Sequence, residues 1–174
     1  MIRKTKAQIW VSAVIYTLIG LTAIGILLSI VQPRIQEMRD GITIKQTIEA
    51  LHDFDSSLRS TLIAPGNKRN IEFKLSAGKL EIKPESDLIV WSMQSANKFS
   101  QPGSPIKEGT IEILTEKKNP WLVSLSLNYT GIANITFDSL KTKTLARAEK
   151  PYQIIIENLG SKKGELQQIN IKLG

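Results

Sequence analysis

The chain of 174 residues carries 23 basic and 16 acidic side chains for a net charge of +7, with one histidine and no cysteine. Without cysteine there is no disulfide framework and no thiolate metal site, and a single histidine excludes a zinc site built from several imidazoles. The positive balance does not outline a nucleic-acid interface. Arg3, Lys4 and Lys6 sit at the very start, and the remaining basic residues are scattered among acids in the manner of a solvated mixed-charge surface.

The first element is the uncharged run at residues 9–31, IWVSAVIYTLIGLTAIGILLSIV, behind the basic leader MIRKTKAQ. At about 1.5 Å rise per residue, a helix of this length crosses the hydrocarbon core of a bilayer. Positive charge just ahead of such a span keeps the N-terminus in the cytoplasm and sends the following part outward. A secretory peptidase cuts after the apolar region at paired small residues. Here Ala23 and Gly25 lie inside the run, so a cut there would leave an apolar stub. Ser12, Ala13, Gly20, Gly25 and Ser29 are expected to let neighbouring helices approach closely, with Gly25 and Ser29 four apart on one face.

Pro33 lacks an amide hydrogen and crowds the carbonyl of Ser29, so the helix is expected to kink or break there. Beyond it Ile35, Met38, Ile42, Ile44, Ile48, Leu51, Phe54, Leu58 and Leu62 recur at helical spacing among charged residues. That pattern predicts an amphipathic helix laid across one face of a sheet, with Gly41 its weakest point. Glu49, His52 and Asp55 stand three apart, the only grouping of carboxylate and imidazole. It reads as a solvated helix face, and no metal is expected. Ala64-Pro65-Gly66-Asn67 ends the helix.

From residue 70 the period becomes alternating. Ile71 to Leu75 and Leu80 to Ile82 are expected to form a hairpin about the turn at 76–79, and DLIVWSM at 87–93 a further strand. Residues 97–108, with Pro102, Gly103 and Pro105, read as a loop. Strand patterns follow at 110–115, 121–130, 132–137, 143–147, 152–157 and 166–173, the last two forming a terminal hairpin turned between Gly160 and Gly164. The sequons Asn128-Tyr129-Thr130 and Asn134-Ile135-Thr136 place both asparagines on the polar sides of their strands, as candidate N-glycosylation sites. There is no nucleophile elbow, no phosphate-binding glycine loop and no catalytic grouping, so neither enzymatic activity nor a cofactor is expected.

Lys6-Ala7-Gln8 precedes the apolar run, and an amphipathic helix and a β-rich head follow it. This arrangement resembles the class III signal sequence and organisation of archaeal type IV pilins and archaellins. The resemblance implies cleavage by a prepilin peptidase between Ala7 and Gln8. Residues 1–7 would then be a leader, 8–32 an assembly or transmembrane helix, 33–64 an amphipathic helix packing on the head, and 65–174 the head. At the fifth mature position stands Ser12, where many members of the wider superfamily carry glutamate. A glutamate pairing with a neighbouring N-terminus is therefore not implied.

The expected fold is α+β, a long N-terminal helix followed by an antiparallel β-sandwich-like head. The resemblance implies a homo-oligomeric helical filament. Its partners would be the peptidase, the pilus assembly machinery and, before assembly, the membrane; no nucleic acid is expected. The subunit would begin in the cell membrane and end in an adhesive filament at the cell surface. The alternatives are an archaellin-type motility filament and a single-pass membrane protein with an extracellular ligand-binding β domain.

Overall fold

The computed structural model describes residues 3–138, 141–161 and 163–174, with side chains from Trp10 onward. The chain divides into two compact units, residues 1–39 and residues 40–174. The fold is α+β, with one long helix, α1 (Arg3–Thr61), ahead of all the strands. Helix α1 is continuous through Pro33, so the expected break is absent. Proline removes a single amide donor, and the backbone bonds on either side of that gap hold the helix together.

The two halves of α1 have different surroundings. In the first, apolar side chains face outward: Leu18, Ile24, Leu27 and Ile30 are all more than half exposed. In the second, Ile44, Ile48, Leu51, Phe54 and Leu58 are buried at steps of three and four, each worth about 1.5–3 kcal/mol relative to exposure. Ile35, Met38 and Ile42, expected on the same stripe, remain 43%, 68% and 54% exposed. Helical spacing assigns a side chain to a face. It does not say where along the helix a partner surface begins.

The strands follow in chain order as β1 (Lys68–Phe73), β2 (Lys79–Lys83), β3 (Leu88–Ser95), β4 (Ile106–Glu108), β5 (Ile111–Glu116), β6 (Trp121–Asn128), β7 (Asn134–Phe137), β8 (Lys143–Ala146), β9 (Tyr152–Gly160) and β10 (Gln168–Leu173). They form a four-stranded sheet in the order β1-β9-β10-β7 and a six-stranded sheet in the order β4-β5-β6-β3-β2-β8. Neighbours are antiparallel, save for β10 and β7, which run parallel. Alternation gives the longer strands one inward face; on β6, Val123, Leu125 and Leu127 point in. The inward faces of both sheets and the stripe of α1 make one core, in which Phe54 meets Phe73 edge-on with ring centres 6.4 Å apart.

Two expectations about strands change. β1 and β2 are not a hairpin: β1 pairs with β9, whereas β2 lies between β3 and β8 in the other sheet. Alternation defines a strand's faces but not its partner. The connection between them passes through Gly78 at φ 73°, where a Cβ would collide with the carbonyl oxygen of Ser92. A side chain there meets both a left-handed backbone and an occupied space. The segment expected as loop also holds the short edge strand β4, paired with β5. The terminal β9–β10 hairpin is present, with a register shift between Gln168 and Ile169; Lys162 in its connection lies outside the described residues.

Candidate functional site

Lys6, Ala7 and Gln8 fall within α1 at positions whose side chains lie outside the described set. From Trp10 to Val31 every residue is exposed, and this part of the chain is long and apolar enough to cross a membrane, with none of it buried. Three of its hydroxyl groups bond within the helix. Thr17 Oγ1 donates to the Ala13 carbonyl at 2.6 Å, Thr22 Oγ1 to Leu18 at 2.8 Å and Ser29 Oγ to Ile26 at 2.7 Å. Such back-bonding lets a hydroxyl enter an apolar environment without an orphaned donor.

The small residues are exposed, and a Cβ built at Gly20 or Gly25 would meet nothing. At 100° per residue, Ala13 and Gly20 share one side of the helix, while Gly25 and Ser29 share a nearly opposite one. Four of the five sequence-predicted packing residues therefore fall into two patches, and Ser12 lies between them on neither. Ile15, Leu18, Ile19, Thr22, Ala23 and Ile26 line a shallow groove between side-chain ridges of the same segment.

Where α1 enters the β domain, its polar residues are anchored. The grouping expected to be a solvated face separates. Glu49 is exposed and His52 half-buried against Gly109, but Asp55 is only 5% exposed. The Asp55 carboxylate accepts from Tyr129 Oη at 3.0 Å, Thr110 Oγ1 at 2.8 Å and Arg59 Nε at 2.9 Å. Burial, reinforced by the facing Asp55 carboxylate, pushes the Tyr129 phenol well above its ordinary value near 10. The hydrogen bond to Asp55 holds the Arg59 guanidinium above its usual range. The alternation of β6 already places Tyr129 inward, but no local pattern pairs it with an acid so far away in the chain.

Two further anchors hold the ends of the same stretch. Asp40, 7% exposed, accepts from the Ala96 amide at 2.7 Å. At the other end Asn158, 1% exposed on β9, donates through Nδ2 to the carbonyls of Thr61 at 2.9 Å and Ala64 at 3.2 Å, and to Gln167 Oε1 at 2.7 Å. Its Oδ1 accepts from the Gly160 amide at 2.8 Å. Asn158 thereby satisfies the Thr61 carbonyl at the helix terminus, while the Ala64 carbonyl also accepts from the Asn67 amide at 3.2 Å. Nothing in the strand pattern of β9 marks this asparagine; Gly160, two residues on at φ 82°, is the nearest signal of a special turn.

Both sequon asparagines are exposed, as the alternation predicted, while Tyr129, Ala133, Ile135 and Phe137 are buried. Asn128 Oδ1 accepts from the Thr130 amide at 2.9 Å, and Asn134 lies on β7, at the edge of its sheet. Among the described residues, no group of three or more His, Asp or Glu side chains converges to hold a metal. The buried acids Asp40 and Asp55 anchor α1 to the β domain, the other ion pairs lie at the surface, and the large exposed apolar feature is the first part of α1. No protein-family model, no curated protein and no solved structure matches the chain.

Proposed function

We propose that the protein is a structural subunit of an extracellular type IV pilus-like filament of the archaeal kind, polymerising through α1 and presenting its β domain outward for adhesion. One observation carries this reading: the uncharged part of α1 from Trp10 to Val31 exposes apolar side chains along its whole length. A soluble monomer does not keep an apolar surface of that extent in water. Lipid would cover it in the precursor, and the helices of other copies would cover it after assembly. The back-bonded hydroxyls of Thr17, Thr22 and Ser29 and the small-residue patches on two sides suit a helix packed against more than one neighbour. Copies related by a screw operation make contacts that do not close, and these generate an open polymer.

In this reading a prepilin peptidase removes residues 1–7, and the assembly machinery draws the helix from the bilayer. The exposed Asn128 and Asn134 would carry glycans on the filament surface. No catalytic role is assigned. The second reading, an uncleaved single-pass anchor with an extracellular β domain, is favoured by the same exposed helix, and processing separates the two. Mass spectrometry of the mature protein is expected to find Gln8 at the N-terminus in a sedimentable filament. Retention of residues 1–7 on a chain confined to the membrane fraction refutes the filament reading. Loss of swimming rather than attachment on deletion would make the filament an archaellin.

A further inference from the structure

Asn128 ends β6 and Asn134 opens β7, and both side chains are exposed, so a sugar carried on either projects into solvent without displacing the fold. The rest of each sequon is built into the β domain. Tyr129 and Ile135, the middle residues, have no solvent exposure. In the first sequon Asn128 Oδ1 accepts from the Thr130 amide at 2.9 Å, Thr130 Oγ1 donates to the Ser86 carbonyl at 3.2 Å, and the Tyr129 amide donates to the Asp87 carbonyl at 2.9 Å. In the second the Asn134 amide donates to the Gln167 carbonyl at 2.9 Å, the Ile135 amide to Asp87 Oδ1 at 2.8 Å, and Thr136 Oγ1 to the Ile169 carbonyl at 3.3 Å. Asp87, in a left-handed backbone at φ 52°, thus holds one sequon by its carbonyl and the other by its carboxylate.

In N-glycosylation the asparagine Nδ2 attacks the anomeric carbon of an oligosaccharide carried on a lipid phosphate. A C–N bond forms and the C–O bond to phosphate breaks. The lipid phosphate leaves with the electron pair, and one Nδ2 proton passes to a base of the transferase. Because the motif demands a hydroxyl at its third residue, the transferase must hold the whole tripeptide and not the asparagine alone. In the folded domain both threonine hydroxyls and the sequon backbones are engaged, and both middle residues are in the core. Transfer then requires a local opening: Tyr129 has to leave the core and its 3.0 Å bond to Asp55, or β7 has to leave β10 at the edge of its sheet.

We infer that the fold closes both sequons to the transferase, so that sugars enter Asn128 and Asn134 before the β domain packs. Two separate locks then keep them closed, Asp55 through Tyr129 at Asn128 and the Asp87 carboxylate through Ile135 at Asn134. The inference rests on the reading of these asparagines as glycan carriers. Occupancy is set by a race between transfer and folding.

The test uses the full chain, purified in detergent from a host without a transferase, with a synthetic peptide of residues 125–138 as the unfolded reference. Each is incubated with an archaeal oligosaccharyltransferase and a lipid-phosphate-linked oligosaccharide, and transfer to each asparagine is followed by glycopeptide mass spectrometry. The peptide is expected to react about a hundredfold faster than the folded chain. Asp55→Ala is expected to speed transfer to Asn128 about tenfold and leave Asn134 unchanged. Asp87→Gly keeps the left-handed backbone and removes the carboxylate, so it is expected to speed transfer to Asn134 about tenfold and leave Asn128 unchanged. Near-ultraviolet circular dichroism checks that both variants are folded, and the comparison of wild type with peptide stands without them. A folded wild type that reacts as fast as the peptide overturns the closure alone. Rates that rise at both sequons together, or at neither, in a folded variant overturn the separate locks. A peptide that accepts no sugar overturns the glycan reading and the closure together.

Discussion

Replacing Asp55 by alanine removes the acceptor that ties α1 to the turn after β6 and to the start of β5. The Tyr129 hydroxyl, on a side chain with no solvent exposure, then has no partner in place of a 3.0 Å bond to a carboxylate. Leaving such a group unsatisfied costs about 1–3 kcal/mol, and the lost bond from Thr110 adds about 1 kcal/mol. The Arg59 pair spans one helical turn with the arginine side chain 43% exposed, so its loss adds only about 0.3–0.5 kcal/mol.

The total comes to about 3 kcal/mol, a shift of about 8–10 °C for a domain of this size. Thermal unfolding of the full chain in detergent, followed by the near-ultraviolet signal of the buried aromatic residues, reads it directly. Asp55→Asn keeps an acceptor for Tyr129 and should lose about half as much. In a double-mutant cycle, Asp55→Ala and Tyr129→Phe are expected to couple by about 1–2 kcal/mol. An Asp55→Ala variant within about 1 kcal/mol of wild type, with no coupling to Tyr129, would show that the carboxylate is not an anchor.

Two other outcomes follow from the same anchors. Asn158→Ala should cost about 1–3 kcal/mol by orphaning the Thr61 carbonyl, since that of Ala64 still accepts from the Asn67 amide, and it should speed amide exchange at 61–67 while sparing 44–55; uniform acceleration would contradict a local role. The Tyr129 phenol is raised in the folded state, so its contribution is complete below the unfolded value near 10 and is lost as pH rises beyond it. Over that window the wild type should lose about 1.4 kcal/mol per pH unit more than Tyr129→Phe, and parallel stability curves for the two would refute the assignment.

The long uncharged run, the change of period after the helix and the exposed face of both sequons are all visible in the residue pattern, because each depends on local spacing. Hydropathy over consecutive residues identifies a helix that water does not suit. Alternation assigns Asn128 outward and Tyr129 inward without reference to any other element. Pairing is a different matter. β1 and β2 alternate like the arms of a hairpin, yet they separate into two sheets, β1 beside β9 and β2 between β3 and β8, because alternation leaves a strand's partner open.

The helix shows the same division. Its period runs from Ile35 to Leu62, but burial begins at Ile44, since only the sheets decide where an apolar stripe finds a surface. Asp55 and Asn158 were illegible for a related reason. Their partners, Tyr129 and the carbonyls of Thr61 and Ala64, lie far away in the chain, and only tertiary packing brings a buried polar atom to the groups that satisfy it.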